Sequence, residues 1–167
     1  MFDRYAAAAR ATDEVRVPQV SVLLPVLDAV DTLTRAVACI TAQTLTDLEL
    51  IIILNGSGSE TRDLALRLAS SDARITIVQL ARPNLAAALN SGAHAASAGL
   101  LARMDADDEC SPERLRAQAE FLTNHPTAAA AACDWEVRGP GGALLAINKP
   151  PRTSDESYWR LLLDNPF

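Results

Sequence analysis

A chain of 167 residues, 49% hydrophobic and 22% charged, is long enough to bury one core and too apolar to stay disordered. A formal charge of −6 and an isoelectric point near 4.8 speak against nucleic acid or an anionic membrane surface as a partner. Cys39, Cys110 and Cys133 are widely spaced and form no Cys-x-x-Cys pair, which argues against a zinc site or a disulfide scaffold and makes reduced thiols and a cytoplasmic location the expectation.

Residues 1–17 are polar and alanine-rich, lack the apolar core of a signal peptide, and are expected as a flexible tail before one domain over 18–167. No window reads as a transmembrane helix. The run Val-Ser-Val-Leu-Leu at 20–24 predicts a buried strand stopped by Pro25, with Asp28 capping a helix that turns Leu33, Val37 and Ile40 to one face. Residues 48–54 are almost continuously apolar, as in a strand buried on both faces, and run into the glycine-rich turn 55–59. A second helix carries Leu64, Ala65 and Leu68 inward. A third strand covers 75–80, and Asn84 caps a helix packing through Leu85, Ala88, Leu89, Gly92 and Ala96. A fourth, buried strand covers 100–104, and the next helix bears Leu115, Ala119 and Leu122 and ends at Asn124-His-Pro126. A fifth strand is expected over 128–137, turned by Gly139-Pro-Gly-Gly142 toward 143–147, and Ser154 starts a last helix with Trp159, Leu162 and Leu163.

Strand–helix alternation repeated in this way implies a doubly wound α/β fold, a mostly parallel sheet with helices on both faces. Ligands of such sheets sit at the C-terminal ends of the strands. The segments 25–28, 55–57 and 105–108 should therefore surround one crevice. The fourth strand delivers Asp105, Asp107 and Asp108 there, followed by Ser111 as an N-cap and Pro112 at the first helical position. Carboxylates this close repel one another unless a cation lies between them, and Mg²⁺ or Mn²⁺ is typically held by one or two carboxylates plus a diphosphate.

Taken in order, these motifs resemble family 2 glycosyltransferases of the GT-A, Rossmann-like fold, over roughly residues 20–167. The family's strand followed by Pro-x-Tyr-Asn is matched by Pro25-Val-Leu27-Asp28, and its Gln-Thr by Gln43-Thr44. The Glu before its second strand is matched by Glu49, its Asp-Asp-Gly-Ser turn by Leu54-Asn55-Gly56-Ser57, and its Ala-Leu-Asn-x-Gly by 88–92. The most specific match is Ala102-Arg-Met-Asp-Ala-Asp-Asp108 with Pro112-Glu-Arg-Leu115, Gln118 and Phe-Leu-x-x-His-Pro126.

The resemblance implies a nucleotide-sugar donor site using Pro25, Asp28, Asn55, Gly56, Asp105 and Asp107, with Asp107 holding Mn²⁺ or Mg²⁺ against the diphosphate. Asp105, expected to point away from Asp107, resembles the residue that hydrogen-bonds the ribose; Asp108 contacts either the ligand or its own loop. The departures are Leu27 for the base-stacking tyrosine, Leu54 for the base-contacting aspartate, and Asn84 and Ala98 at positions that are often glycine. Leu27 and Leu54 weaken the case for uridine. The family's acceptor segment and its general base would follow Phe167, so the chain reads as a C-terminally truncated donor-binding portion, with exposed apolar surface that predicts self-association. Transfer to an unknown acceptor, with inversion, is what the family implies. The alternative is a nucleotide or nucleotide-sugar binding module without transferase activity; a phosphatase built on Asp-x-Asp ranks below both.

Other residues have plainer explanations. His94 and His125 read as a helix-surface and a helix-end residue, and Arg103 as one member of a structural pair with a carboxylate. Trp135 and Trp159 read as core rather than acceptor groove, Gly58 as part of a turn, and Glu49 as facing either nucleotide or solvent.

Overall fold

The computed structural model describes residues 4–5, 17–151 and 153. Its contacts fall into two compact units, residues 1–119 and 120–167. The first contains β1 (Arg4–Tyr5), β2 (Val20–Val26), α1 (Leu33–Thr41), β3 (Leu48–Asn55), α2 (Ser59–Ser71), β4 (Ile75–Leu80), α3 (Leu85–Ala95) and β5 (Leu100–Arg103). Helix α4 (Arg114–Asn124) runs across the boundary. Arg4–Tyr5 lie in the stretch expected as a tail and pair antiparallel with β4; the remainder of 1–16 is outside the described residues, as is the helix expected from Ser154.

The sheet order is β1-β4-β3-β2-β5, with β2 parallel to both β3 and β5 and β3 parallel to β4. The chain moves outward from β2 to β3 and β4, then returns across the sheet to place β5 on the other side of β2. Right-handed crossovers travelling in opposite directions land on opposite faces. Accordingly, α1 and α2 cover the face made by Val22, Leu24, Leu50, Ile52 and Leu54, while α3 covers Leu23, Ile51, Ile53 and Val78. Strand β3 is buried on both faces, as its apolar run demands, with Ile51, Ile52 and Ile53 at 0% exposure. Gly92 lets α3 come this close: a Cβ there would sit 2.6 Å from Cδ1 of Ile53.

Several expectations need correction. Pro25 lies inside β2, paired with Ile53, and does not end the strand. Because β5 pairs with β2 only as far as Leu23, one side of β2 is free of a ladder at Pro25, where the missing N–H costs little. Asp28 does not cap α1; Thr32 takes the N-cap position without a side-chain bond. Strand β5 ends at Arg103 and is an edge among the described residues, with Leu101 half exposed rather than buried. Leu85 is exposed, Ala96 is the C-cap of α3, and Ser111-Pro112-Glu113 form a turn before α4, Ser111 Oγ accepting the Glu113 N–H at 3.4 Å. Asn84 does cap α3, accepting the Ala87 N–H at 3.0 Å.

In the second unit the fifth strand is shorter than expected. Residues 128–134 have no regular structure, and β6 (Trp135–Arg138) pairs antiparallel with β7 (Leu144–Asn148) as a separate hairpin. Its turn follows the glycines, with Gly141 and Gly142 at φ +75° and +81°, conformations that side-chain-bearing residues avoid. Trp135 is 40% exposed on this hairpin and is not core.

Candidate functional site

Strand order decides where a ligand can bind. The reversal from β4 back to β5 makes β2 and β5 the switch point, where two loops diverge from adjacent strand ends and leave a crevice. A cleft of about 500 Å³ lies there, and Pro25, Leu27, Asp28, Asn55, Asp105 and Asp107 are among its lining residues. Five of the six expected site residues therefore meet. Gly56 does not line the cleft: at φ +78° it turns the chain after β3 and donates its N–H to the Leu80 carbonyl.

The β2–β3 wall is cross-tied. Asp28 Oδ1 accepts the N–H of Gly58 at 3.1 Å, and Ser57 Oγ donates to the Val26 carbonyl at 2.8 Å, so the loops after the two strands hold each other. Asn55, 7% exposed, accepts the Asn84 N–H at 2.7 Å and thereby fixes the N-terminus of α3 beside the cleft. Leu54 points into the core at 1% exposure, so this position offers the ligand nothing. Leu27, Val30 and Leu85, each between 44% and 48% exposed, provide an aliphatic lining that isolated motifs did not reveal.

The β5 wall carries charge. Met104 and Ala106 are buried and anchor the segment, and the Met104 N–H donates to the Leu23 carbonyl at 3.1 Å. Asp105 and Asp107 both line the cleft, contrary to the expectation that they diverge: the chain is not extended here but turns, the Asp108 N–H donating to the Asp105 carbonyl at 3.2 Å. Arg103 Nη2 donates to both oxygens of Asp105 at 2.8 Å, the structural pair expected of Arg103, formed with a cleft carboxylate. Asp107 is exposed and has no hydrogen-bond or ion-pair partner among the described residues. Asp108 lies outside the lining. Burial, then the charges of Asp107 and Asp105, push its carboxyl above the usual carboxylate range, only partly offset by Arg114 and Arg103.

Beneath this wall sits Gln43, at 2% exposure. Its Nε2 donates to the Ser111 carbonyl at 2.7 Å, and its Oε1 accepts the Leu115 N–H at 3.0 Å, satisfying one of the free donors of α4. Thr44 adds its N–H to the Pro112 carbonyl at 2.9 Å. The Gln-Thr pair thus braces the segment that follows the aspartates, a role visible only once the fold brings positions 72 apart in sequence together. Glu49 is half-buried and outside the cleft lining; it accepts from Ser21 Oγ and the Ser97 N–H, each at 2.6 Å. His94 and His125 bond helix carbonyls one turn back, as expected of helix-surface and helix-end residues.

The model for the family described as "Glycosyl transferase family 2" matches residues 21–159. The chain belongs to glycosyl transferase family 2. Among its relatives are the uncharacterized glycosyltransferase EpsJ of Bacillus subtilis (strain 168), 30% identical over 62% of this chain and 31% of that protein, and the hyaluronan synthase of Pasteurella multocida, 28% identical over 78% of this chain and 14% of that protein. The chain thus spans less than half the length of these family members. Two solved glycosyltransferases share the fold. The mannosyltransferase PcManGT of Pyrobaculum calidifontis, in complex with GDP-Man and Mn²⁺, has a TM-score of 0.65 at 24% identity, covering 78% of this chain and 38% of its own. Residues 1–349 of S. aureus TarS, in complex with UDP-GlcNAc, have a TM-score of 0.58 at 16% identity, covering 74% and 41%. The fold is GT-A. No helix among the described residues is long and apolar enough to cross a membrane.

Proposed function

We propose that the chain is the donor-binding portion of a glycosyltransferase that moves a sugar from a nucleotide-diphosphate sugar to an acceptor, with a divalent metal and with inversion. The observation that carries this reading is the meeting of Asp105 and Asp107 with Pro25, Asp28 and Asn55 in one cleft at the switch point of the sheet. Family membership and two folds whose structures hold GDP-Man with Mn²⁺ and UDP-GlcNAc support it.

The residues fit a hard divalent cation. Asp107 offers a carboxylate without a partner among the described residues, beside Asp105 in the same cleft. Asp107 would hold Mn²⁺ or Mg²⁺, which when bound supplies Lewis acidity to the departing diphosphate. Asp105, oriented by Arg103, receives the ribose hydroxyls. Asp28, Asn55 and the Gly56 turn shape the nucleoside end, where Leu27 replaces an aromatic platform with an aliphatic one. The acceptor is a saccharide, lipid or protein. Association of copies through exposed apolar side chains such as Leu101 belongs to the same proposal.

Calorimetric titration with UDP, GDP and dTDP, each with Mn²⁺ and then with chelator, tests the reading. Metal-dependent heat that disappears in Asp107→Ala is the expected result and ranks the bases. Absence of heat with all three nucleotides overturns the donor site.

A further inference from the structure

We propose that Cys39 and Cys110 are a reversible disulfide site that fastens the loop after Asp107 to α1 and couples the order of the cleft to thiol redox state. The two thiols lie 71 positions apart in sequence, yet their Sγ atoms approach to 3.6 Å. Cys39 sits in α1, its thiol directed back to the Ala36 carbonyl at 3.3 Å. Cys110 sits three residues beyond Asp107, in a segment without regular structure, and its sulfur accepts from Gln43 Nε2 at 3.3 Å. Both are partly buried against the same core cluster. Cys133 is exposed.

Two neighbouring cysteines could simply be small apolar fillers. What separates this pair from filler is its placement. A disulfide requires the sulfurs to close to about 2.05 Å. One partner belongs to a helix and the other to an irregular loop, so the closing movement falls on the loop, and that loop holds the carboxylate wall. Burial, with Cys39 beside it, pushes the Cys110 thiol up to about 11, so thiolate is scarce at neutral pH and the bond forms slowly.

The oxidant class is a low-molecular-weight disulfide such as oxidised glutathione. One protein thiolate attacks it, forming a mixed disulfide and expelling one glutathione thiolate. The second cysteine, as thiolate, then attacks the protein sulfur of that mixed disulfide and expels the other. Two protein thiols and one glutathione disulfide become one protein disulfide and two glutathiones. The cysteines lose two electrons and glutathione gains them.

The test is equilibration of the native chain in glutathione buffers from fully reduced to fully oxidised, acid quenching, alkylation and peptide mapping. A Cys39–Cys110 cross-linked peptide is expected, lower in mass than the two free thiols by about 2 Da. It should be reversed by dithiothreitol, absent in Cys39→Ser and Cys110→Ser, and retained in Cys133→Ser. The cross-linked chain should melt higher by roughly 5 °C or more, because the bond closes a long loop. Failure to form this peptide at the most oxidising ratio, its formation only in urea, or pairing through Cys133 instead would each overturn the site.

The coupling to the cleft rests on the donor-site reading, and a second measurement separates the two. UDP and GDP affinities with Mn²⁺ should differ at least threefold between reduced and cross-linked chain. Equal affinities would overturn the coupling. Absence of binding in both forms, with the cross-link present, would overturn the donor site and the coupling while upholding the disulfide.

Discussion

On the β2–β3 side of the cleft, the polar side chains that face the opening are also bonded to backbone: Asp28 to Gly58, Asn55 to Asn84, with Ser57 tying one loop to the other. On the β5 side the order is reversed. The backbone is anchored from below, through Met104, Ala106 and the Gln43 brace, while Asp107 faces the cleft without a partner among the described residues and the Asp108 carboxyl is raised by burial first and by the charges of Asp107 and Asp105 second. The first wall is organised before any ligand arrives, by hydrogen bonds between its polar side chains and backbone, the Asp28 carboxylate among them. The second brings two carboxylates to the cleft, Asp105 paired with Arg103 and Asp107 without a partner among the described residues. The walls thus differ in how their polar side chains are held: by backbone on one side, and by a single arginine or by nothing on the other.

Four substitutions break or sharpen this contrast. Asp107→Ala should cost the most in function, lowering metal-dependent nucleotide affinity by at least about 100-fold, while stability in urea stays within about 0.5 kcal/mol because an exposed, unpaired carboxylate supports no fold. A comparable fall in stability would contradict the assignment of Asp107 to the ligand alone. Gln43→Leu should cost about 2–3 kcal/mol in urea unfolding, since it leaves the Leu115 N–H and the Ser111 carbonyl without their buried partner. The same variant should loosen the charged wall and weaken nucleotide binding even though Gln43 is remote from the ligand; unchanged affinity would show that the brace is structural only.

Asn55→Ala acts on the other wall. It frees the Asn84 N–H, and because Asn84 is exposed, water takes up part of the loss, so about 1 kcal/mol is expected, with a smaller fall in affinity than at Asp107. Asp72→Asn lies outside both walls and serves as a control. The Arg74 guanidinium holds the Asp72 carboxyl below its ordinary value, so the pair's stabilisation is present above the unfolded carboxylate range and is lost as pH falls through the lower folded value. Wild type and Asp72→Asn should differ by less than about 1 kcal/mol at pH 7 and converge in acid below about pH 3.8, with nucleotide binding at neutral pH unchanged.

The elements and the aspartate cluster were legible because each rests on local chemistry. An apolar run long enough for β3, the Asn84 cap, and the glycines of the hairpin turn act within a few residues. The failures have one cause. Pro25 is tolerated inside β2 because β5 stops short, Leu27 becomes part of an aliphatic lining because Val30 and Leu85 arrive beside it, and Trp135 is exposed because β6 belongs to a separate hairpin. Each depends on what another part of the chain does.

By itself, the sequence determined the order of strands and helices from β2 to α4 and the carboxylates after β5, since hydrophobic periodicity and capping are short-range. The alternation of elements already implied one crevice at the strand ends; only the tertiary structure decided that β5 returns beside β2 and which side chains line that cleft. It also decided that Gln43 braces α4 and that Cys39 meets Cys110. The Gln43 and cysteine contacts join residues about 70 positions apart, so no local rule about residue type could have announced them.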